Sequence, residues 1–382
     1  MGESEKIVVV RDFPQVMGGA AGEFCKLYGR TFEPAPQFFY MAYLTCLGVA
    51  IGDRVTLDTG IGENPRLYTL ILGESAKARK STAARMTVKF FKDTLGDRGF
   101  NISKGVGSAE GLQRLFKRGK NLLLTLDEFD SFLSKAGIKN SVLLQTVGSL
   151  FHETEYENAT RDDHILIEDG HLSLLAASTI ETFRGMNNPE FIKIGFDNRL
   201  FLVPGSVGEP KALPPRLTSE QNDPLKKHLD KVLEFVGGGI LVKIDEFAYA
   251  VYVDWYASRG GDLESNRLDT YALRLMTLMA LNELSDTITD KIAMQALDLV
   301  FWQERMRRIY NPILAENAYA WMEQTIVRLL EERGPLTRNQ LRKFSNADRK
   351  GVHFFDRAIK NLDAEGIIIL VEYPKAMKYQ LV

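Results

Sequence analysis

Cysteine is nearly missing from this chain: Cys25 and Cys46 are the two in 382 residues. That is too few for a disulfide framework and fits a reducing cytoplasm. Histidine is scarce as well, and its five residues show no metal-ligand spacing, so no structural metal is expected. No apolar run is long enough to cross a bilayer. The longest, Phe38 to Ile51, is interrupted by Thr45 and Gly48 and reads as a buried helix. Charge of one sign is not in excess. The 48 Lys and Arg against 50 Asp and Glu leave a net charge of -2, which neither requires nor excludes a nucleic-acid partner, because a local basic face can sit in a balanced total. Met1 to Lys6 lack the basic-then-apolar pattern of a secretory signal, so a cytoplasmic location with no membrane partner is expected. Internal repeats and low-complexity stretches are missing too.

What is present is a globular composition, 45% hydrophobic and 26% charged, on a chain long enough for two or three structural units. Residues 13 to 52 read as helices punctuated by Pro34 and Pro36, within an N-terminal helical collar over 1–64. Residues 65–206 alternate strand and helix. Apolar strands fall at Leu67 to Leu72, Asn121 to Leu126, Leu172 to Ala177 and Leu200 to Val203, with a short one at Asn101 to Ser103. Continuous apolar strands of this length are covered on both faces, as in a parallel α/β sheet. Pro204, Pro210, Pro214 and Pro215 mark a change to a helical region over 207–315, where amphipathic helices are expected from Asp223 to about Tyr310. The last unit, 316–382, begins with a helix over Ala318 to Glu332 that stops at Gly334-Pro335. A capping box at Thr337 to Gln340 starts a second helix. A third runs from about Gly351 to Glu365, and two short strands flank Pro374. Three helices and a hairpin read as a winged helix-turn-helix.

Two motifs carry chemistry. The strand Leu67 to Leu72 enters Gly73-Glu74-Ser75-Ala76-Lys77-Ala78-Arg79-Lys80-Ser81-Thr82 and then a helix. This order suits a phosphate-binding loop: backbone N–H groups and the helix N-terminus cradle phosphate oxygens, Lys80 reaches the β- and γ-phosphates, and Ser81 offers its hydroxyl to Mg²⁺. The loop holds six residues between Gly73 and Lys80, one more than the usual motif, and Arg79 stands where glycine normally precedes the lysine. A solvated basic helix start is the alternative. The second motif is the apolar strand Leu122 to Leu126 ending in Asp127 and Glu128. Asp127 would hold Mg²⁺ and Glu128 would polarise an attacking water; a helix cap by Asp127 or Asp130 is the alternative. Together the motifs imply ATP and Mg²⁺ as cofactors. At the end of the strand Leu172 to Ala177, Thr179, or failing it Ser178, would sense the γ-phosphate. Arg199, opening the strand Leu200 to Val203, would reach a neighbouring subunit's γ-phosphate; an exposed strand-start arginine is the equal alternative.

With these residues in view, the chain resembles the ATPase region of phage, prophage and plasmid primase-helicases, a region catalogued mainly as a domain of unknown function. The resemblance lies in Ala42 to Ile51, Gly73 with Lys80-Ser81, Ser108 to Leu112, Asp127-Glu128, Leu172 to Thr179, and Gly195 to Arg199. It does not imply primase activity, since no primase or zinc-binding segment precedes the loop here. A second likeness, to minichromosome-maintenance helicases, lies in Asn266 to Leu275 and Leu284 to Thr289, which look like their lid helix with Arg267 as the lid sensor. It also implies a β-hairpin from Glu155 to Asn158 and His164 to Glu168, whose tip would place Arg161 on DNA.

In the last unit, Val352, Phe355, Ile359 and Leu362 form the expected buried stripe of the third helix. Lys350, Arg357 and Lys360 lie on the other face, and the hairpin adds Lys375 and Lys378. These five suit DNA phosphates; a protein-docking face is the alternative. The expected fold is an α/β P-loop ATPase of the additional-strand catalytic-glutamate type, AAA-like or RecA-like, with a helical lid and a C-terminal winged helix. The expected function is an ATP-driven DNA helicase or translocase of mobile-element replication. It would act as a homo-oligomeric ring, nominally a hexamer, with single-stranded DNA in its channel and duplex at the winged helix. An ATP-regulated DNA-binding switch or initiator without unwinding is the alternative, and a small-molecule kinase a distant third.

Overall fold

The computed structural model describes residues 12–382 apart from Ala76, 138–140, 160–163, 187–188, 260–264, Leu314, Glu316 and Lys375. Contacts divide them into two compact units, one spanning Phe13–Arg307 and one that includes Arg308–Val382. The strands, in chain order, are β1 (Val55–Leu57), β2 (Tyr68–Gly73), β3 (Asn101–Ser103), β4 (Asn121–Leu126), β5 (Tyr156–Ala159), β6 (His164–Ile167), β7 (His171–Thr179), β8 (Phe201–Pro204), β9 (Ile240–Ile244), β10 (Thr287–Ile288), β11 (Ile368–Tyr373) and β12 (Ala376–Leu381).

The centre of the larger unit is a five-stranded sheet in the order β3-β4-β7-β2-β8. Every neighbouring pair in it is parallel. The apolar composition of these strands has the expected cause. β2 and β8 are buried at every position and β7 at all but its last, because helices cover both faces. One covering helix, Pro36–Ile51, is the longest apolar run of the sequence and is buried from Phe38 onward. It packs against β2, β4, β7 and β8 and against the helices Gly19–Thr31 and Lys80–Leu95. Its one break in apolarity is satisfied: Thr45 and Thr69 hydroxyls lie 2.7 Å apart across the helix–sheet contact. Gly48 is needed there, since a Cβ would stand 2.3 Å from the Pro65 carbonyl oxygen.

The opposite end of the strands is closed by buried arginines. Arg66, just before β2, donates to the carbonyls of Leu150, His152 and Glu153 at 3.1, 2.8 and 2.9 Å. Arg274 donates to Glu63 at 2.9 Å and to the carbonyls of Arg66 and Phe151. Arg307 donates to the carbonyls of Asn266, Asn198 and Leu200. The helix carrying Arg274, Leu268–Asn282, is buried along nearly its whole length, and its Tyr271 hydroxyl donates to the carbonyls of Tyr68 and Arg199. It is a core helix of the larger unit.

The region expected to be helical beyond Asp223 also contains β9 and β10, which form a second, three-stranded sheet with β1, in the order β1-β9-β10 and all parallel. Five residues, Ile240 to Ile244, behind three glycines are too short a run to separate strand from helix by periodicity. The following helix, Glu246–Ser258, is not amphipathic: only Ala248 and Trp255 are buried, and Phe247 is 73% exposed.

In the smaller unit, helices Ala318–Arg333, Arg338–Phe344 and Val352–Ala364, with a short turn of helix at Ala347–Lys350, precede the antiparallel pair β11–β12. The Thr337–Gln340 capping box forms as expected. The core gathers Met322, Ile326, Leu330, Leu341, Phe355, Ile359, Leu362, Ile368 and Tyr379. Ala358 joins the buried stripe of the third helix, while Val352 is only half-buried.

Candidate functional site

The site is built at the edge where the parallel strands end. β2 runs into the loop Gly73 to Arg79, and the helix Lys80–Leu95 follows. Gly73 is required by close approach: a Cβ there would stand 2.5 Å from the Ala78 Cβ and 3.0 Å from the Gly205 carbonyl oxygen. Ala78 is fully buried and anchors the loop; Glu74, Ser75, Lys77 and Arg79 are exposed, and Ala76 lies outside the described residues. The loop turns into the helix at Arg79, whose backbone is left-handed at φ 51° and ψ 31°. A non-glycine residue there is strained, which answers why glycine is usual at this place. Arg79 Nε donates to Glu33 at 2.7 Å, and Glu33 also accepts from the Lys211 backbone N–H at 3.0 Å. These bonds, the backbone one first, hold the Glu33 carboxyl below its usual range.

Lys80 is half-buried and its ammonium donates to the Gly73 and Glu74 carbonyls at 3.1 and 3.0 Å. Burial lowers its pKa, while the Glu181 carboxylate opposes that shift. Ser81 and Thr82 follow in the first helical turn, both half-buried. A helix start leaves backbone N–H groups without helical partners, so this loop faces outward as a field of donors and positive charge.

Two strands away, β4 ends at Leu126 and delivers Asp127 and Glu128, both exposed. Neither carboxylate caps the backbone of the helix Phe129–Ala136; Glu128 occupies the N-cap position, but its side chain accepts from the Ser131 hydroxyl in the first turn, at 3.2 Å, and not from a backbone N–H. Asp127 has no hydrogen-bond or ion-pair partner among the described residues. β7 lies between β2 and β4, so the loop and the acidic pair are separated by about 10 Å, two strand spacings. A cavity of about 250 Å³ opens beside the pair, lined by Lys104, Asp127, Glu128, Ser131 and Lys135 among others. Lys104 and Lys135 were not singled out in the sequence; Lys104 directly follows β3, a position that gains meaning only when β3 pairs with β4.

The end of β7 is in register with the loop: Thr179 pairs with Gly73 and Ser178 with Leu72. Thr179 is half-buried, and its hydroxyl accepts from the Thr182 N–H at 3.0 Å and bonds Thr182 Oγ1 at 2.7 Å, so it caps the helix Ile180–Arg184. Ser178 is buried and donates to the Thr179 carbonyl at 3.2 Å.

Arg199, expected to act on a neighbouring subunit, and Arg267, expected as a lid sensor, both lie at the end of the sheet where the strands begin. Arg199 closes a short helical turn before β8 instead of opening the strand; its Nη1 donates to the carbonyls of Ile194 and Gly195 at 2.8 and 2.9 Å. Burial, then the neighbouring Arg267, lowers its pKa to about 10. Arg267 hydrogen-bonds His152, whose carbonyl holds Arg66 at the start of β2. The six residues of β2 put Arg267 about 20 Å from Lys80, at the far edge of the sheet. Burial first, then Arg274 and Arg267, drives His152 down to about 3, so it is neutral and accepts the guanidinium N–H.

The expected hairpin forms from β5 and β6, antiparallel with Asn158 opposite Ile165. Its tip, Arg161 included, lies outside the described residues, as does Lys375. In the smaller unit Lys350, Arg357 and Lys360 are exposed, as the buried stripe requires, and Lys378 is half-buried with its ammonium 5.1 Å from the Tyr373 ring centre. No helix among the described residues is long and apolar enough to cross a membrane, and no group of His, Cys, Asp and Glu among them could hold a metal ion by itself. The chain matches no protein-family model and no curated protein.

Proposed function

We propose that this chain is a P-loop ATPase of the additional-strand catalytic-glutamate type. One observation carries the reading: in the parallel order β3-β4-β7-β2-β8, the strand ending in the lysine loop and the strand ending in two exposed carboxylates flank β7 on either side. The residues fit ATP with Mg²⁺. Gly73 permits the close turn, Lys80 and the helix start supply positive charge, Ser81 supplies a hydroxyl, and Asp127 is a carboxylate with no partner among the described residues. The bound nucleotide supplies a phosphoryl group that water can accept. Lys80 would leave the Gly73 and Glu74 carbonyls for phosphate oxygens, Ser81 and Asp127 would hold the metal, and Glu128 would orient the water and take its proton as the nucleoside diphosphate departs. Thr179, or failing it Ser178, would sense the γ-phosphate by leaving its present bond, the helix cap for Thr179 and the Thr179 carbonyl for Ser178.

With the C-terminal helices and hairpin acting as a winged helix on DNA, the whole reads as an ATP-driven DNA helicase or translocase of mobile-element replication, working as a homo-oligomeric ring with Arg199 acting in trans. The alternative, an ATP-regulated DNA-binding switch, is favoured by one feature: Arg199 Nη1 is spent on its own chain's carbonyls. Glu128→Gln decides the chemistry. It should bind ATP normally and lose single-turnover hydrolysis by about 10²-fold or more, since an amide cannot accept the proton. A rate within a few-fold of wild type would place the base elsewhere and end this reading.

A further inference from the structure

The basic row of the smaller unit is not laid out as a row of phosphate contacts. On the neighbouring helix Arg338–Phe344 the arginines have acidic partners: Arg338 with Asp356 at 2.7 Å and Arg342 with Asp348 at 2.6 Å. Glu323 is likewise occupied, accepting from Asn361 at 2.8 Å. Lys350, Arg357 and Lys360 have no carboxylate partner among the described residues. Two of them lie instead over aromatic rings, Lys350 at 5.0 Å from the Trp321 centre and Arg357 at 4.9 Å from that of Tyr319. Around them, Tyr319 packs edge-on to Phe354 at 4.7 Å, and the exposed His353 lies 3.9 Å from Phe354.

We propose that this face, formed by Tyr319, Trp321, Lys350, His353, Phe354 and Arg357, binds single-stranded nucleic acid by stacking unpaired bases. The proposal deepens the nucleic-acid half of the proposed function and rests on that half alone. A duplex offers phosphates at its surface but hides its base faces in the helical stack. Flat side chains therefore find a partner only where bases are unpaired. The guanidinium of Arg357 is planar, has Tyr319 beneath it and is exposed on its outer side, so a base can complete the layer; His353 offers a second exposed ring. Lys350 and Lys360 remain to neutralise the phosphates that connect the stacked bases.

The test measures anisotropy of the full chain, without nucleotide or Mg²⁺, on an oligothymidine of about 20 nucleotides, an abasic strand of equal charge, and a duplex of equal length. Its outcome is thus separate from whether Lys80 binds ATP. The oligothymidine should bind about tenfold or more tighter than the abasic strand. His353→Ala and Arg357→Lys, the latter keeping charge but losing the plane, should each remove most of that preference. Equal binding of the abasic strand overturns the proposal, as does tighter binding of the duplex. So does a preference that survives both substitutions, which would put the stacking elsewhere, or no binding to any of the three, which would leave a protein-docking face.

Discussion

Where β2 and β7 begin, charge is sealed in. Arg66, Arg274 and Arg307 are almost wholly buried, their guanidinium groups bonded to backbone carbonyls or to Glu63, and Tyr271 is clamped between the Tyr68 and Arg199 carbonyls. Where β2 and β4 end, charge is left open. Lys80 rests on two carbonyls of its own loop, Asp127 has no partner among the described residues, Glu128 is exposed, and Arg79 holds a left-handed backbone. Both edges are rich in ionisable groups, yet only one leaves its charged groups open to solvent. A buried arginine that fills its donors with carbonyls is committed to the fold, because removing it strands buried acceptors. A lysine and carboxylates that solvent still reaches are free to exchange partners, which binding and catalysis require.

The largest effect that sharpens this contrast comes from truncating one group at each edge. Arg274→Ala should destabilise the fold by about 3–5 kcal/mol, since Glu63 and two carbonyls lose their partner. Lys80→Ala should leave the denaturation midpoint nearly unchanged while weakening ATP by about 4 kcal/mol, the scale of a charge pair at 4 Å in an effective dielectric of 20. Chemical denaturation and nucleotide titration of both variants read this directly. Equal stability losses would erase the distinction between the edges.

A smaller effect follows from pH. His171 begins β7 and is buried; burial first, then Arg66, lowers its pKa to about 4. The folded state therefore holds fewer protons than the unfolded chain, whose histidines titrate near 6.5. This contribution is complete above pH 6.5 and is lost as pH falls toward 4, by about 3 kcal/mol. Asp197 runs the other way: burial raises it to about 6, so its cost is relieved as pH drops through 6 toward 4. Denaturation at stepped pH should give a shallower acid decline in His171→Gln than in wild type. An identical decline would assign the acid sensitivity to other groups.

The smallest effect is at the open edge itself. Arg79→Gly should raise stability by about 1 kcal/mol, because glycine takes the left-handed backbone without strain and the exposed pair with Glu33 is worth little. Thermal or chemical unfolding of this variant checks it. A loss would mean that the Glu33 contact outweighs the backbone strain.

Much of the larger unit was legible because each signal is local. A continuous apolar run means a strand covered on both faces, and glycine, lysine and serine after one strand with two acids after another fall at one edge of the parallel sheet. The small sheet was not legible, because β1 and β10 are short and become strands only by pairing with β9. Arg267, a lid sensor by resemblance, and Arg199, expected to act on a neighbouring subunit, contact His152 and the Ile194 and Gly195 carbonyls of their own chain, which residue type and position alone do not reveal.

By itself, then, the sequence determined which segments are strands of the parallel sheet, that Lys80 and the Asp127-Glu128 pair follow the ends of two of them, and that Lys350, Arg357 and Lys360 face outward. Hydrophobic periodicity and residue type act over a few residues, and those outcomes depend on nothing more. Only the tertiary structure decided that β7 separates β2 from β4, that the Leu268–Asn282 helix is core, and that the outward cations lie over aromatic rings instead of beside carboxylates. Those outcomes depend on which distant segments meet, and a side chain's role is set by the partners that remain after every nearby carbonyl, ring and carboxylate has been taken.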